Sequence, residues 1–347
     1  MNSTTKLLDI KSPNFVSSTK EYYIHTHQEM KNQTVLVTGG TGFVGIHTIV
    51  QLLQQGYLVK TTLRSLAKKD TILQALSEAG ITNSERVSFH EAELTSDQGW
   101  DDAAKNCDYV LHIASPFPAE NPKDENDLII PAREGALRVL KAAKKAGVKR
   151  VVLTSSFAAV GYSKDPNGYI FTEADWTDEN KPIAAYVKSK TIAEKAAWNF
   201  METEGGDMEL TVINPVGIFG PVIGGISSAS LDTVIKGIIE GSIKESPSFT
   251  FNVVDVRDVA AIHISAMLHP KAKGERFLAT AEGAMSFYDV AEFIKKERPT
   301  LASKIAEMHP TAPEFYTVIS NRKALDILGL TPLNREEALL ASIDSLY

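Results

Sequence analysis

The sequence contains one cysteine, Cys107, among 347 residues. A disulfide within the chain and metal sites built from two or four cysteines are therefore excluded. No stretch approaches the roughly 20 consecutive apolar residues that a membrane-spanning helix needs. The formal net charge is −7, which argues against nucleic acid as a partner. These absences leave a globular protein that acts on small molecules away from membranes, and we expect it in the cytoplasm.

The first thirty residues lack arginine and an apolar signal core, and they include Asp9, Glu21 and Glu29. That composition argues against a secretory signal or a transit peptide. Met30 directly precedes the first strong strand pattern. We therefore predict that residues 1–30 form a polar N-terminal extension.

Beyond this segment, short apolar runs alternate with helical patterns. The runs lie at 35–37, 58–63, 87–89, 109–113, 151–153 and 210–213. Near-continuous apolar strands separated by helices predict an α/β fold of the Rossmann type, a doubly wound parallel sheet with helices on both faces. The regular alternation ends after Gly220. We predict a dinucleotide-binding domain at 31–216, to which 250–270 returns, and a smaller C-terminal substrate-binding domain from 217–249 and 271–347.

A glycine-rich segment follows the first strand and opens the first helix. Its glycines recur every three residues, a spacing that allows a tight turn, close approach of a pyrophosphate and close helix–strand packing. The helix N-terminus adds free N–H groups that attract phosphate. The segment therefore predicts a dinucleotide site whose loop residues are Gly39, Thr41, Gly42, Phe43, Val44 and Gly45.

No acidic residue occurs between Gly45 and Lys69. NAD-selective sites usually place Asp or Glu about 20 residues past the first glycine, where it binds the ribose hydroxyls. Here Arg64 ends the second strand and Lys68 follows it. Arginine offers a planar fork for a phosphate group, and lysine offers a point charge. The pattern predicts NADPH/NADP as the cofactor.

Two further strand ends carry residues suited to a cofactor. Ala114, Ser115 and Pro116 end the fourth strand, where small side chains would let the backbone lie against the cofactor. Pro215 and Val216 end the sixth strand, and we expect them to shape the nicotinamide pocket.

Tyr186 and Lys190 are one turn apart on a predicted helix and share a face. A free tyrosine has a pKa of about 10. A neighbouring cation, together with the oxidised nicotinamide ring, favours the phenolate and would lower that pKa. Lys190 would also hold the nicotinamide ribose. A hydroxyl from the run Thr154-Ser155-Ser156, at the end of the fifth strand, could hydrogen-bond the substrate oxygen.

The glycine spacing and the order of these motifs resemble the extended short-chain dehydrogenase/reductase family. Within it, the dihydroflavonol 4-reductase-like branch, with its microbial aldehyde and ketone reductases, is the most similar. The resemblance covers about residues 33–345 and is loose at the C-terminus. It implies Ser156, Tyr186 and Lys190 as catalytic residues, because the run Ser-Ser-Phe-Ala-Ala matches the family at its second serine.

The same resemblance implies further contacts. Glu93 and Leu94 match the family's Asp-Leu pair beside the adenine, with Glu in place of Asp. Phe117 and Phe157 would line the substrate pocket.

The predicted function is NADPH-dependent reduction of an aldehyde or ketone to an alcohol, by a monomer or homodimer. A sugar-nucleotide epimerase or dehydratase is the first alternative. Such dehydratases carry an acidic pair where this chain has Phe157 and Ala158. A non-catalytic NADP-binding protein is the second alternative, although such proteins usually lose the Tyr or the Lys that are both present here.

Overall fold

The computed structural model describes residues 33–116 and 122–347. Its strands are β1 (Thr34–Thr38), β2 (Leu58–Leu63), β3 (Val87–Glu91), β4 (Tyr109–His112), β5 (Arg150–Thr154), β6 (Ile170–Phe171), β7 (Glu209–Pro215), β8 (Gly217–Phe219), β9 (Phe251–Asp255), β10 (Arg276–Ala279), β11 (Ala284–Met285) and β12 (Val318–Ile319). Its α-helices are α1 (Phe43–Gln54), α2 (Lys69–Glu78), α3 (Trp100–Ala104), α4 (Asn126–Lys145), α5 (Ala185–Thr203), α6 (Gly237–Ile239), α7 (Val256–Leu268), α8 (Phe287–Glu297), α9 (Arg322–Leu328) and α10 (Arg335–Leu346). Within these described ranges, no helix combines the length and the apolar character needed to cross a membrane.

The main sheet has seven strands in the order β3-β2-β1-β4-β5-β7-β10, and every neighbouring pair is parallel. The chain moves outward from β1 in one direction to β3, and then in the other direction from β4 to β10. Connections that leave β1 and β4 in opposite directions open a crevice at the carboxyl ends of these two strands. The predicted doubly wound parallel sheet is confirmed.

Both faces of the main sheet are covered, because successive side chains of a strand point to opposite sides. Val35 and Val37 of β1 pack in a core with α1, α2 and α7. Leu36, between them, packs in a second core with α3, α4 and α5. The apolar runs in the sequence therefore contribute side chains to two hydrophobic cores, one on each face of the sheet.

A third core joins the region after β7 to the first helix. The three-stranded sheet β11-β9-β8 and helices α8 and α10 contribute to it, and so does a π-helical segment at Leu231–Lys236. Phe43, the first residue of α1, packs in the same core with Phe219 and Val253. The C-terminal region is thus anchored directly beside the glycine-rich loop.

Two elements of the C-terminal half contribute to the Rossmann-type core. Helix α7 packs against α1, whereas β9 pairs with β8 and β11 in the small sheet. Strand β10 lies in the stretch predicted for the substrate-binding domain, yet it forms an edge of the main sheet beside β7. The division of the chain into two domains stays a prediction.

Candidate active site

The glycine-rich loop leaves the N-terminus of α1 open. Gly42 is its N-cap residue, and the Gly42 amide donates to the Gly39 carbonyl over 2.9 Å. In the described part of the chain, no side chain caps this helix end and no acidic residue lies in its first turn. A Cβ atom on Gly45 would lie 2.3 Å from the Gly39 carbonyl oxygen, so the loop packs on the helix only with glycine there. The amides of the first turn are therefore available to an anion such as a pyrophosphate.

The other predicted loop residues differ in exposure. Thr41 is exposed and Val44 is half-buried. The Phe43 ring is buried and lies edge-on to His47, with 5.5 Å between the ring centres. Phe43 can thus contact a cofactor through its backbone amide, whereas its ring belongs to the core.

Arg64 and Lys68 form a basic cluster at the outer end of the crevice at the carboxyl ends of the strands. Arg64 and Lys68 are both exposed, and neither side chain has an ion-pair partner among the described residues. The carboxylate of Glu91 lies near the end of β2, because Glu91 of β3 pairs in register with Leu63 of β2. That carboxylate accepts a hydrogen bond from the Leu66 amide over 3.2 Å. The two basic side chains are therefore free to bind a phosphate group.

The remaining predicted cofactor residues lie at the carboxyl ends of the strands. Leu94, Ala114, Ser115, Pro116 and Lys190 line one small cavity. The Glu93 side chain is exposed and does not line it, while the Glu93 carbonyl accepts from the Trp100 indole over 3.1 Å.

The predicted nicotinamide residues lie at the end of β7. Pro215 is buried there, and the Val216 amide donates to the Ala279 carbonyl over 3.2 Å.

Tyr186 and Ser156, which the sequence predicts to be catalytic, lie in contact with each other. Tyr186 lies in the first turn of α5, and Ser156 follows β5. The Ser156 hydroxyl hydrogen-bonds the Tyr186 phenol, and its oxygen also accepts from the Ala158 amide over 3.1 Å. Burial raises the pKa of Tyr186, and the Ser156 hydrogen bond acts in the opposite direction. This differs from the lowering expected from Lys190, and it means that the phenol keeps its proton at neutral pH.

Lys190 lies one turn farther along α5 and is nearly buried. Its Nζ donates to Ser115 Oγ over 2.9 Å and lies 5.8 Å from the centre of the Tyr186 ring. Burial lowers the pKa of Lys190 to about 8, and the negative charge of Glu194 acts against this decrease. Ser115 and Lys190, predicted separately as cofactor residues, thus form one hydrogen-bonded pair.

A buried ion pair behind Ser156 and Tyr186 was not predicted. Glu194, two turns after Tyr186 on α5, is fully buried and binds the Arg276 guanidinium over 2.6 Å. The Glu194 carboxylate also accepts from Ser155 Oγ over 2.5 Å and from Asn214 Nδ2 over 2.8 Å. Ser155 therefore faces the interior, while Ser156 faces the phenol.

The two histidines nearest the strand ends are structural. Thr38 Oγ1 accepts from the Ile113 and Ala114 amides, so its proton goes to His112 Nδ1, 2.8 Å away. His263 Nε2 lies 2.6 Å from Thr154 Oγ1. Burial lowers the pKa of His112 to about 3 and that of His263 to about 4. Both imidazoles are neutral at pH 7 and hold strand ends in place.

Of the two predicted substrate residues, the structure describes Phe157 alone. Phe117 lies outside the described residues. The Phe157 ring is buried because Gly161 gives it room: a Cβ on Gly161 would lie 2.3 Å from Phe157 Cζ. Tyr162 covers Phe157 edge-on, with 5.3 Å between the ring centres. Phe157 thus supports an exposed aromatic residue instead of lining an open pocket itself.

Comparison with known proteins places this arrangement in a family. The model of the NAD dependent epimerase/dehydratase family matches residues 35–279. The chain belongs to this family. The match confirms the resemblance to extended short-chain dehydrogenases/reductases.

Individual relatives match most of the chain. A ketoreductase of Aspergillus niger is 33% identical over 86% of this chain and 92% of its own length. A cinnamoyl-CoA reductase of Medicago truncatula is 34% identical over 90% of this chain and 95% of its own. The crystal structure of yeast methylglyoxal/isovaleraldehyde reductase in complex with NADPH matches with a TM-score of 0.78 and 28% identity, covering 90% of this chain and 98% of that one.

Proposed function

We propose that this protein is an NADPH-dependent reductase that converts an aldehyde or ketone to an alcohol. The observation that carries the proposal is the Ser156–Tyr186 hydrogen bond at the carboxyl end of β5, with Lys190 beside the phenol. All three relatives are named reductases, and the names of two of them, a ketoreductase and a methylglyoxal/isovaleraldehyde reductase, support reduction of a ketone or an aldehyde here.

The residues present fit NADPH. The uncapped N-terminus of α1 would take the pyrophosphate, and Arg64 with Lys68 would take the 2′-phosphate. Ser115 and Lys190 would hold the nicotinamide ribose, with Pro215 and Val216 shaping the space beside it. When bound, NADPH supplies the hydride for the carbonyl carbon.

The protein's part is to bind, orient and protonate the carbonyl. Ser156 Oγ and Tyr186 Oη would bind the carbonyl oxygen from two sides and polarise it. Tyr186 then gives its proton to that oxygen as the alcohol forms. Because burial keeps the phenol protonated, the resting site is set for the reducing direction. The buried ammonium of Lys190 would stabilise the phenolate that remains after proton transfer.

The epimerase or dehydratase alternative has less support at these positions. Phe157 and Ala158, where dehydratases carry their acidic pair, are both buried and apolar. A non-catalytic NADP-binding role does not account for the hydrogen bond between Ser156 and Tyr186.

The test is loss of NADPH absorbance with a carbonyl panel of methylglyoxal, 3-methylbutanal and an aromatic ketone, run in parallel with NADH. We expect oxidation of NADPH with at least one of them, at a kcat/KM at least about tenfold above that with NADH. No turnover with any carbonyl, together with NAD that co-purifies with the protein, would overturn the proposal in favour of an epimerase.

We also propose a cytoplasmic location and a monomeric or homodimeric state. The lone cysteine is buried and unpaired, which suits a reducing compartment. Fluorescence microscopy of a tagged chain and light scattering of the purified protein test the two statements separately.

A further inference from the structure

Two exposed aromatic side chains meet beside the reactive tyrosine. Tyr162 is 43% exposed and Phe249 is 42% exposed, and their ring centres lie 6.4 Å apart. Scattered exposed apolar side chains are common on protein surfaces, whereas contacting ones often mark a binding site. This contact joins two distant parts of the chain.

Tyr162 is held close to the catalytic residues by packing. Its ring rests on Phe157, which directly follows Ser156 in the short turn that packs against α5. Its own backbone amide donates to Thr177 Oγ1 over 3.2 Å. Burial raises the pKa of Tyr162 to about 12, and the Tyr186 phenol contributes in the same direction. The side chain is thus reached by solvent while surrounded by protein, as expected for the wall of a cleft.

Phe249 contributes the other half of this aromatic contact, from the C-terminal region. It precedes β9, and its ring lies 6.5 Å from that of Phe251. Phe251 in turn stacks on Phe219 of β8 at 5.8 Å, inside the C-terminal core. A continuous series of rings therefore runs from Phe157, next to Ser156, to Phe219 in the C-terminal region, and Tyr162 and Phe249 are its exposed members.

We propose that Tyr162 and Phe249 form the aromatic wall of the substrate site and select uncharged carbonyl compounds that carry an aryl group. This inference rests on the proposed reductase function. Aromatic rings favour offset-stacked or edge-to-face partners, which an aryl group supplies and a methyl group does not. The nearby Lys164 is already paired with Asp175, so it offers little to a substrate carboxylate or phosphate.

The test compares two substrates that differ only in the group beside the dicarbonyl, phenylglyoxal and methylglyoxal, in wild type, Phe249→Ala and Tyr162→Ala. We expect the ratio of kcat/KM for phenylglyoxal to that for methylglyoxal to fall about 10- to 50-fold in each alanine variant. Tyr162→Phe, which keeps the ring, should restore the ratio. Leu268→Ala removes a side chain of similar exposure, 40%, near the amino ends of the strands, opposite the proposed site, and should leave the ratio unchanged.

Three results would contradict the aromatic wall: a ratio within twofold of wild type in both alanine variants, an equal loss with both substrates, or the same loss in Leu268→Ala. If wild type reduces neither compound with NADPH, the ratio cannot be measured, and the proposed function fails only if the whole carbonyl panel is inactive as well. Calorimetric titration of acetophenone into wild type and Phe249→Ala then tests the wall alone. Weaker binding to the variant supports it, and equal affinities overturn it.

Discussion

The two walls of the cleft hold their side chains by different physical means. We call the strand ends with α5 the sheet wall, and Phe249 with β8 and β9 the C-terminal wall. In the sheet wall, the buried Glu194–Arg276 pair and its hydrogen bonds fix Ser155 and, through α5, the residues that we propose act on the carbonyl. In the C-terminal wall, the side chains of Phe219, Phe249 and Phe251 are held by contacts between uncharged aromatic rings. Directional bonds suit proton transfer, which tolerates little displacement, whereas apolar contacts suit substrates of varied shape.

The largest expected effect comes from Tyr186, in the sheet wall. Tyr186→Phe should lower kcat by about 10³-fold, because the variant lacks the hydroxyl that is proposed to give its proton to the substrate oxygen. The affinity for NADPH, measured by fluorescence titration, should stay within about threefold. A variant that keeps a tenth of the wild-type rate would remove Tyr186 from its proposed role.

The second prediction tests how the sheet wall is held. Glu194→Ala should lower the free energy of unfolding by about 3–5 kcal/mol, because it leaves Arg276 buried without its carboxylate. The control is Asp232→Ala, which breaks an exposed pair with Lys236 and should cost under about 1 kcal/mol. Urea denaturation followed by circular dichroism measures both. Equal losses would mean that the buried pair is no more important than a surface one.

The third prediction concerns the stability of the fold at acidic pH. The pKa values of His112 and His263 in the fold, about 3 and about 4, lie below the ordinary value near 6.5. The native state therefore binds fewer protons than the unfolded chain, so stability is full above pH 6.5 and falls as the pH drops toward 4. Each histidine contributes a loss of about 1.4 kcal/mol per pH unit in that range.

Asp258 opposes this trend in part. Burial raises its pKa to about 6, so the fold binds the proton more tightly and gains stability as the pH falls through 6. The measurement is urea unfolding at pH 7 and pH 5, in wild type and in His263→Gln, whose amide oxygen can still accept from Thr154. The variant should lose less stability than wild type on acidification. An identical loss would show that His263 does not sense the pH.

The smallest predicted effect lies at the outer end of the crevice. Arg64→Ala should raise the Kd for NADPH about tenfold and change that for NADH less than twofold, because only NADPH carries the 2′-phosphate. Arg322→Ala, which removes an exposed arginine elsewhere, serves as the matched control. Equal weakening with both cofactors would place the 2′-phosphate away from Arg64.

The sequence predicts the features that depend on short spacings. Gly39, Gly42 and Gly45 identify the loop because they recur at a fixed spacing of three residues between a strand and a helix. Tyr186 and Lys190 share a face because an α-helix repeats every 3.6 residues. The doubly wound sheet follows from the alternation of apolar runs with helices.

Features that depend on distant contacts were not predictable in this way. Arg276 lies 82 residues from Glu194 and reaches it only because β10 joins the main sheet next to β7. The orientation of the Phe157 ring depends on the space above Gly161, which no local pattern reveals. Tyr162 and Phe249, 6.4 Å apart in the fold, lie in segments that show no regular periodicity.

The contacts of helix α10 affect the order in which the protein can fold during translation. Ser342 accepts a hydrogen bond from the Gly220 amide over 2.7 Å, and Ser345 accepts from the Val222 amide over 2.9 Å. Both amides belong to the segment that follows β8 beside the cleft. A nascent chain therefore cannot complete this side of the cleft until α10 has left the ribosome, even though every strand of the main sheet has been translated by then.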